Sequence, residues 1–281
     1  MKQSISNVWM SWIRRGLDQG CAPHDLLSVM IKEGVNPESS EEAIARLIRE
    51  PASSKSVSNP FVYESSFIQA GNSIIVSDKI LNLAFRLAQP DVVLIANFLS
   101  NEECEVLIQS SLSTLTPSTV VNLQEGGRMS HDGRTSEGMA FKISETEVIK
   151  AIESRISELI NLPIENGEGI QVLHYQIGAE YRPHYDYFPE SQLGSKEFLE
   201  QGGQRVATLI MYLNDVDAGG ETVFPELSLS VAPKKGSALY FSYTNSLGQV
   251  DDKTLHGGAP VVKGEKWIAT KWIRKNLISK Q

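Results

Sequence analysis

From residue 169 onward the sequence is a series of short apolar segments broken by turn-forming residues: "GIQVLHYQ", "YRPHYDYF", "RVATLIMYLND", "ETVFPE", "LSLSVAP", "SALYFSY", "HGGAPVV" and "KWIATKWIRK". Strands at that spacing, with no helical periodicity between them, restrict this part of the chain to an antiparallel β architecture. A double-stranded β-helix, or jelly roll, is the form such a run favours. The barrel core is therefore expected over residues 169–276.

The preceding sequence supplies helices. Ser100 with Glu103 before "CEVLIQSSL", and Ser144 with Glu147 before "VIKAIESRISELI", read as capping boxes opening two helical buttresses. In the first 50 residues Ile5, Val8, Trp9, Trp12, Ile13 and Leu17 recur at helical spacing, and Gly16 and Gly20 mark an end. "APHDLLSVMIKEG" and "SSEEAIARLIREP" repeat the pattern. The expected organisation is a helical module at 1–55, a linker and lead-in at 56–90, and a main domain at 91–276, with the serine-rich "ASSKSVSNP" at 52–60 marking the linker. The fold class is α+β, mainly β. The module carries more large apolar residues than so short a segment buries alone, so Trp9 and Trp12 are expected to anchor it as a further buttress.

Charge and composition exclude several function classes. A net charge of −8 argues against a protein that coats nucleic acid. The longest apolar runs, such as "VVLIANFL" at 92–99, fall far short of the roughly 20 residues of a membrane span. The N-terminus lacks an apolar core followed by a cleavage site, so a cytoplasmic location is expected. Cys21 and Cys104 are too few for a disulfide framework and read as reduced, semi-buried thiols.

Chemistry points to "EYRPHYDYF". Residues i and i+2 of a strand share a face, so His184 and Asp186 are placed to converge on one ion. His256 in "LHGGAP" offers a third ligand, and two histidines with one carboxylate fit the facial triad of non-haem Fe(II) oxygenases. The pair alone is a weak signal, and more often such a pair is a satisfied core histidine beside a surface acid. His24, His131 and His174 read as surface or satisfied core residues. Lys266 opens an apolar strand ten residues after His256, where it either snorkels to solvent or pairs with a buried anion. By themselves Tyr175, Tyr181 and Trp272 read as strand core, Gly219-Gly220 as a hairpin turn, and Arg134-Thr135-Ser136 as a surface loop. Leu209, Met211, Leu239 and Phe241 are expected as barrel walls that keep water from the site. The polar segment 189–204 is expected to be a mobile loop at its mouth.

Over about residues 90–276 the chain resembles the catalytic domain of collagen-type prolyl 4-hydroxylases, within the Fe(II)/2-oxoglutarate dioxygenases. The resemblance runs in order through "NFLSNEECEVLI", "GRTSEGM", "LPIENGEGIQVLHYQIGAEYRPHYDYF", "GGQRVATLIMYLNDVDAGGETVFPE" and "HGGAPVVKGEKWIATKWIR". It implies that His184, Asp186 and His256 hold Fe(II). It implies that Lys266 binds the distal carboxylate of 2-oxoglutarate, assisted by the hydroxyls of Tyr175 and Thr222. Tyr181, Arg205 and Trp272 are implied on the substrate side, O2 as co-substrate, and ascorbate as an auxiliary reductant. The presence of Asp186 favours hydroxylation over halogenation, where that carboxylate is replaced. The implied reaction is hydroxylation of prolyl residues in a peptide or protein. A free amino or imino acid is the alternative, for which Arg205 is a natural carboxylate clamp. A metal-binding jelly roll without redox activity is the third reading. The N-terminal module is shorter than the peptide-binding region of the animal collagen enzymes, so collagen-like substrates are not implied.

Overall fold

The computed structural model describes residues 5, 7–18, 21–32, 34–49 and 60–278. These divide into two compact units, Met1–Pro60 and Phe61–Gln281. Gly20 and residues 52–59 of the serine-rich stretch lie outside the described residues.

The first unit contains α1 (Asn7–Asp18), α2 (Pro23–Lys32) and α3 (Pro37–Arg49). Proline suits the first helical position, where its missing N–H has no partner to lose. Asn36 caps α3 by accepting from the Ser39 amide at 3.0 Å. Ile13, Leu26, Met30, Ala43, Ile44 and Leu47 form a core of their own, and Trp9 and Trp12 pack against it, edge to face at 5.2 Å. The two tryptophans thus contribute to the core of their own unit. Gly16, expected at a helix end, lies inside α1 instead. A Cβ there would sit 2.6 Å from Leu26 Cδ2, so glycine is what lets α2 approach.

The second unit begins with β1 (Ser73–Val76), β2 (Lys79–Ala88), β3 (Asp91–Ile95), α4 (Asn101–Ser111), β4 (Thr116–Pro117), β5 (Val120–Val121), β6 (Arg128–Met129), β7 (Glu137–Ala140) and α5 (Glu147–Ile160). It continues with β8 (Gln171–Tyr175), β9 (Tyr181–His184), α6 (Lys196–Glu200), β10 (Arg205–Tyr212), β11 (Ala218–Gly219), β12 (Thr222–Phe224), β13 (Leu229–Val231), β14 (Ala238–Ser242), β15 (His256–Gly258), β16 (Val261–Lys263) and β17 (Lys266–Arg274). A large sheet runs β1-β2-β3-β14-β10-β17-β8-β7-β4, and a smaller one runs β13-β12-β15-β9. This is the expected jelly-roll core, widened at one edge. The segment read as lead-in supplies β1 and β2, and β3 pairs with β14 through Ile95 and Ala238.

Both faces of the large sheet are covered, which is why every residue of β10 is buried. Val206, Leu209 and Met211 pack with Cys104 and Leu107 of α4 and with Ile149, Ile152 and Ile156 of α5. Ile210 and Tyr212 pack with Phe224 and Val231 of the smaller sheet. Strand alternation therefore divides the four expected wall residues. Leu239 and Phe241 belong to the cluster with the smaller sheet, whereas Leu209 and Met211 belong to the helical side.

The Ser100 box is reciprocal, with Ser100 Oγ accepting from the Glu103 amide and the Glu103 carboxylate from the Ser100 amide. The second box is not formed as expected. Thr146 caps α5 through the Ile149 amide, and Ser144 turns left-handed (φ +55°) to donate its N–H and hydroxyl to Glu153. Glu153 is fully buried against Lys271 at 2.5 Å, and its second oxygen takes the Ser144 donors. Segment 189–204, expected as a loop, carries short helical structure. A turn at Leu193–Ser195 leads into α6, and the Gly194 amide donates to Leu123 O at 3.0 Å. Among the described residues no helix is long and apolar enough to cross a membrane. Cys104 is buried, and Cys21, expected to be semi-buried, is exposed; both are free thiols.

Candidate active site

His184 ends β9, His256 opens β15, and the two are directly paired across the antiparallel ladder. Their rings lie 4.4 Å apart. The strands come close because Gly257 has no side chain: a Cβ there would stand 2.8 Å from Tyr181 O. Asp186 converges by a different route from the expected one. The strand stops at His184, so face-sharing of i and i+2 does not apply, and Asp186 sits in the bend that follows. Thr208 on β10 donates its hydroxyl to Asp186 Oδ2 at 2.6 Å, and Arg205 reaches the Asp186 carbonyl at 3.4 Å. Arg205 and Thr208 are three residues apart, yet both reach Asp186; the register shift after Arg205 breaks the strict alternation.

Asp186 Oδ1 stands 3.5 Å from His184 Nε2 and Oδ2 stands 3.5 Å from His256 Nε2. An octahedral ion with bonds near 2.1 Å sets neighbouring ligand atoms about 3 Å apart. The second nitrogens settle the tautomers. His184 Nδ1 donates to Arg182 O and His256 Nδ1 to Thr254 O, each at 3.0 Å, because a carbonyl only accepts. Both Nε2 lone pairs are thereby left for an ion. Burial pushes His256 down to about 4, so its imidazole is neutral at pH 7. Burial would raise the Asp186 carboxyl, but the adjoining His256, His184 and Arg205 hold it well below the usual range. The donor set fits a divalent ion with one face left open.

Two cavities meet at His184 and Asp186, and His256 lines the inner one. The inner one is lined by Tyr175, Thr222, Lys266, Ile268 and Thr270. Lys266, 2% exposed, opens β17 opposite Tyr175 and makes no hydrogen bond or ion pair among the described residues. Burial pushes its pKa down to about 8, opposed by Glu221. Thr222 Oγ accepts from Tyr212 OH at 2.8 Å. The expected anchors are therefore gathered in one place, around an ammonium whose neighbour is the Tyr175 ring at 5.3 Å.

The outer cavity is an open groove of about 400 Å3, lined by Tyr181, Arg205, Trp272, His131, Arg134 and the β5–β6 hairpin. Tyr181 stacks on His184 at 3.6 Å between ring centres. Trp272 Nε1 is buried without a partner among the described residues. Arg205 differs from a free clamp. Its fork is closed on Glu168 at 2.7 and 2.8 Å, Glu168 also accepts from Arg274 at 2.9 Å, and the guanidinium lies 4.2 Å over Trp272.

Thr208, Tyr212 and Glu168 escaped the sequence reading because each acts through a partner on another element of the fold. Arg134, weighed there as part of a surface loop, is 7% exposed and lies 4.7 Å over the Tyr181 ring. His131 also faces the groove, with its Nδ1 accepting from the Gly133 amide. His174 is the satisfied residue expected, stacked on Trp267 at 4.1 Å and paired with Glu265.

Residues 170–274 match the family model of the 2OG-Fe(II) oxygenase superfamily. Prolyl 4-hydroxylase 5 of Arabidopsis thaliana is 48% identical over 204 residues, covering 66% of this chain and 68% of the plant protein. Prolyl 4-hydroxylase 1 of the same plant is 42% identical over 205 residues, covering 68% and 71%. Among solved structures, the viral collagen prolyl hydroxylase of Paramecium bursaria Chlorella virus-1, in complex with 2-oxoglutarate, is 33% identical with a TM-score of 0.52. The match covers 65% of this chain and 95% of the viral one. With identity at this level across two thirds of the plant enzymes, and the His-Asp-His cluster inside the matched region, the chain belongs to the prolyl 4-hydroxylase family of Fe(II)- and 2-oxoglutarate-dependent oxygenases.

Proposed function

We propose that this chain hydroxylates prolyl residues within peptides or proteins, with His184, Asp186 and His256 holding Fe(II) and Lys266, Tyr175 and Thr222 holding 2-oxoglutarate. The observation that carries the reading is the pair of cavities joined at His184 and Asp186, one holding a buried ammonium with no ion pair among the described residues and the other an open groove. When bound, the iron and its oxo-acid supply the oxidising chemistry that puts one atom of O2 into a C–H bond and leaves the other in succinate. The protein binds, orients and excludes water. Lys266 fixes the far carboxylate of the oxo-acid by charge and hydrogen bond. Ile268 and Leu173 close the inner cavity with apolar surface. Tyr181 and Trp272 flank the route from groove to triad and hold the target ring against it.

The closed Arg205–Glu168 pair removes Arg205 as the clamp for a free amino acid's carboxylate. A silent metal-binding module is disfavoured by oriented imidazoles together with an ammonium awaiting an anion. The same reading carries ascorbate as auxiliary reductant and a cytoplasmic location, with which two free thiols are consistent. The test is succinate release from 2-oxoglutarate with Fe(II), in the presence of proline-containing peptides or of free proline, with oxygen incorporation read by mass. Peptides are expected to stimulate release and gain one oxygen. Hydroxylation of free proline with inert peptides would overturn the proposal.

A further inference from the structure

The outer groove is positive on a chain whose net charge is −8. Arg205 is matched by Glu168, and Arg182 by Glu180 at 3.2 Å. Two arginines of the groove have no carboxylate within ion-pair distance among the described residues. One is buried Arg134, whose polar contacts are Thr119 O at 2.9 Å and Gln171 Oε1 at 3.2 Å. The other is Arg128, exposed on β6 opposite Val121.

Arg128 stands on an anchored hairpin. Asn122 Oδ1 accepts from the amides of Gln124 and Glu125, both at 3.1 Å, fixing the turn. The Gly194 amide donates to Leu123 O, and Glu197 Oε2 accepts from the Gly127 amide at 3.3 Å. A Cβ on Gly194 would lie 2.1 Å from Asn122 O, so the hairpin and the α6 segment are in close contact. The surrounding protein and the like charge of Arg205 lower the Arg128 pKa, Glu168 opposes this, and Arg134 adds to it.

We propose that Arg128, backed by Arg134, recognises a carboxylate side chain within a few residues of the target proline, so that acidic proline-containing peptides are the preferred substrate class. This rests on the prolyl hydroxylation reading above. An aromatic-lined groove with two unmatched guanidinium groups suits a peptide that brings both a pyrrolidine ring and an aspartate or glutamate. A charge at the rim acts on encounter and register more than on the chemical step, so the preference belongs in KM.

The test uses three peptides of one length, identical except for glutamate, glutamine or lysine beside a central proline. Oxygen incorporation is followed by mass with wild type, Arg128→Gln and Arg128→Lys. The glutamate peptide is expected to exceed the glutamine peptide by about five- to tenfold in kcat/KM, through KM, with the lysine peptide poorest. The preference shrinks in high salt. Arg128→Gln is expected to reduce it to within about twofold, and Arg128→Lys to retain most of it. Equal kcat/KM for the glutamate and glutamine peptides in wild type, or an unchanged preference in Arg128→Gln, would overturn the inference. Anisotropy titration of the same labelled peptides onto the Mn(II)- and 2-oxoglutarate-loaded protein reads the charge preference without turnover. Charge-selective binding with no oxygen gained would therefore refute the prolyl reading and leave the charge inference standing.

Discussion

Lys266→Met should make the empty protein more stable and abolish tight 2-oxoglutarate binding. The ammonium is buried with no hydrogen bond or ion pair among the described residues, and burial lowers its pKa from 10.5 to about 8. That drop corresponds to about 3 kcal/mol against the charged form, a ceiling because Nζ borders a cavity that water can enter. The sign follows from proton binding. Between about pH 8 and 10.5 the unfolded chain holds the lysine proton and the folded chain has released it, so stability of the empty protein rises with pH across that window. Methionine keeps the length and removes the charge. Metal-free Lys266→Met is therefore expected to gain about 1–3 kcal/mol at pH 7, roughly 2–10 °C in Tm for a unit of this size. The gain should fade towards pH 10.5.

Binding reverses the balance. A carboxylate beside Lys266 gives the ammonium a partner, and loss of that charged hydrogen bond in a buried site costs about 3 kcal/mol, a Kd increase of at least about a hundredfold. In wild type the Kd should also rise as pH passes about 8, whereas the variant should lack that dependence. Scanning calorimetry of the metal-free proteins and 2-oxoglutarate titration onto the Mn(II)-loaded proteins read both effects. A variant that melts lower at pH 7 and binds 2-oxoglutarate as wild type does would refute the reasoning.

His184→Ala and His256→Ala should each lose stoichiometric Fe(II), read by metal analysis after gel filtration, because two remaining ligands hold a labile ion poorly. Thr208→Val removes the 2.6 Å hydrogen bond to Asp186 and should weaken metal binding about 10- to 100-fold in a competition titration. Glu168→Gln leaves Arg205 and Arg274 without their counter-charge and should destabilise by about 3 kcal/mol in denaturant unfolding, and an unchanged midpoint would show those charges to be solvated. A fragment from Phe61 to Gln281 holds every site residue and the larger core, so its Mn(II) affinity should match that of the full chain; loss of binding would assign the first 60 residues a supporting role.

What was legible depended on how local each cause was. The strands of the barrel showed themselves through turn residues, and the Ser100 box through a three-residue pattern, both contained within a few positions. Asp186 was found for an incomplete reason. The sequence pattern HxD marked it, but its carboxylate converges through Thr208 on a strand more than twenty residues later, which no local periodicity reports. The displaced cap at Thr146 has the same origin, since Ser144 is drawn off by Glu153, itself held by Lys271 from the last strand. Glu168 carried no local signal at all, because its role exists only when Arg205 and Arg274 arrive from two separate strands.

The last strand shows how much one local rule does once its ends are known. In β17 the alternate residues Lys266, Ile268, Thr270 and Trp272 line the inner cavity, and Trp272 reaches the outer groove as well. The intervening Trp267, Ala269 and Ile273 belong to the helical core, with Lys271 paired to Glu153 of α5. At about 3.3 Å per residue the six steps from Lys266 to Trp272 span roughly 20 Å. A single strand thereby sets the separation between the co-substrate anchor and the substrate wall. A one-residue slip would exchange the two faces, turning Lys271 away from Glu153 and Lys266 into the helical core. Register is thus fixed from both sides, by a buried ion pair on one face and by Tyr175 opposite Lys266 on the other.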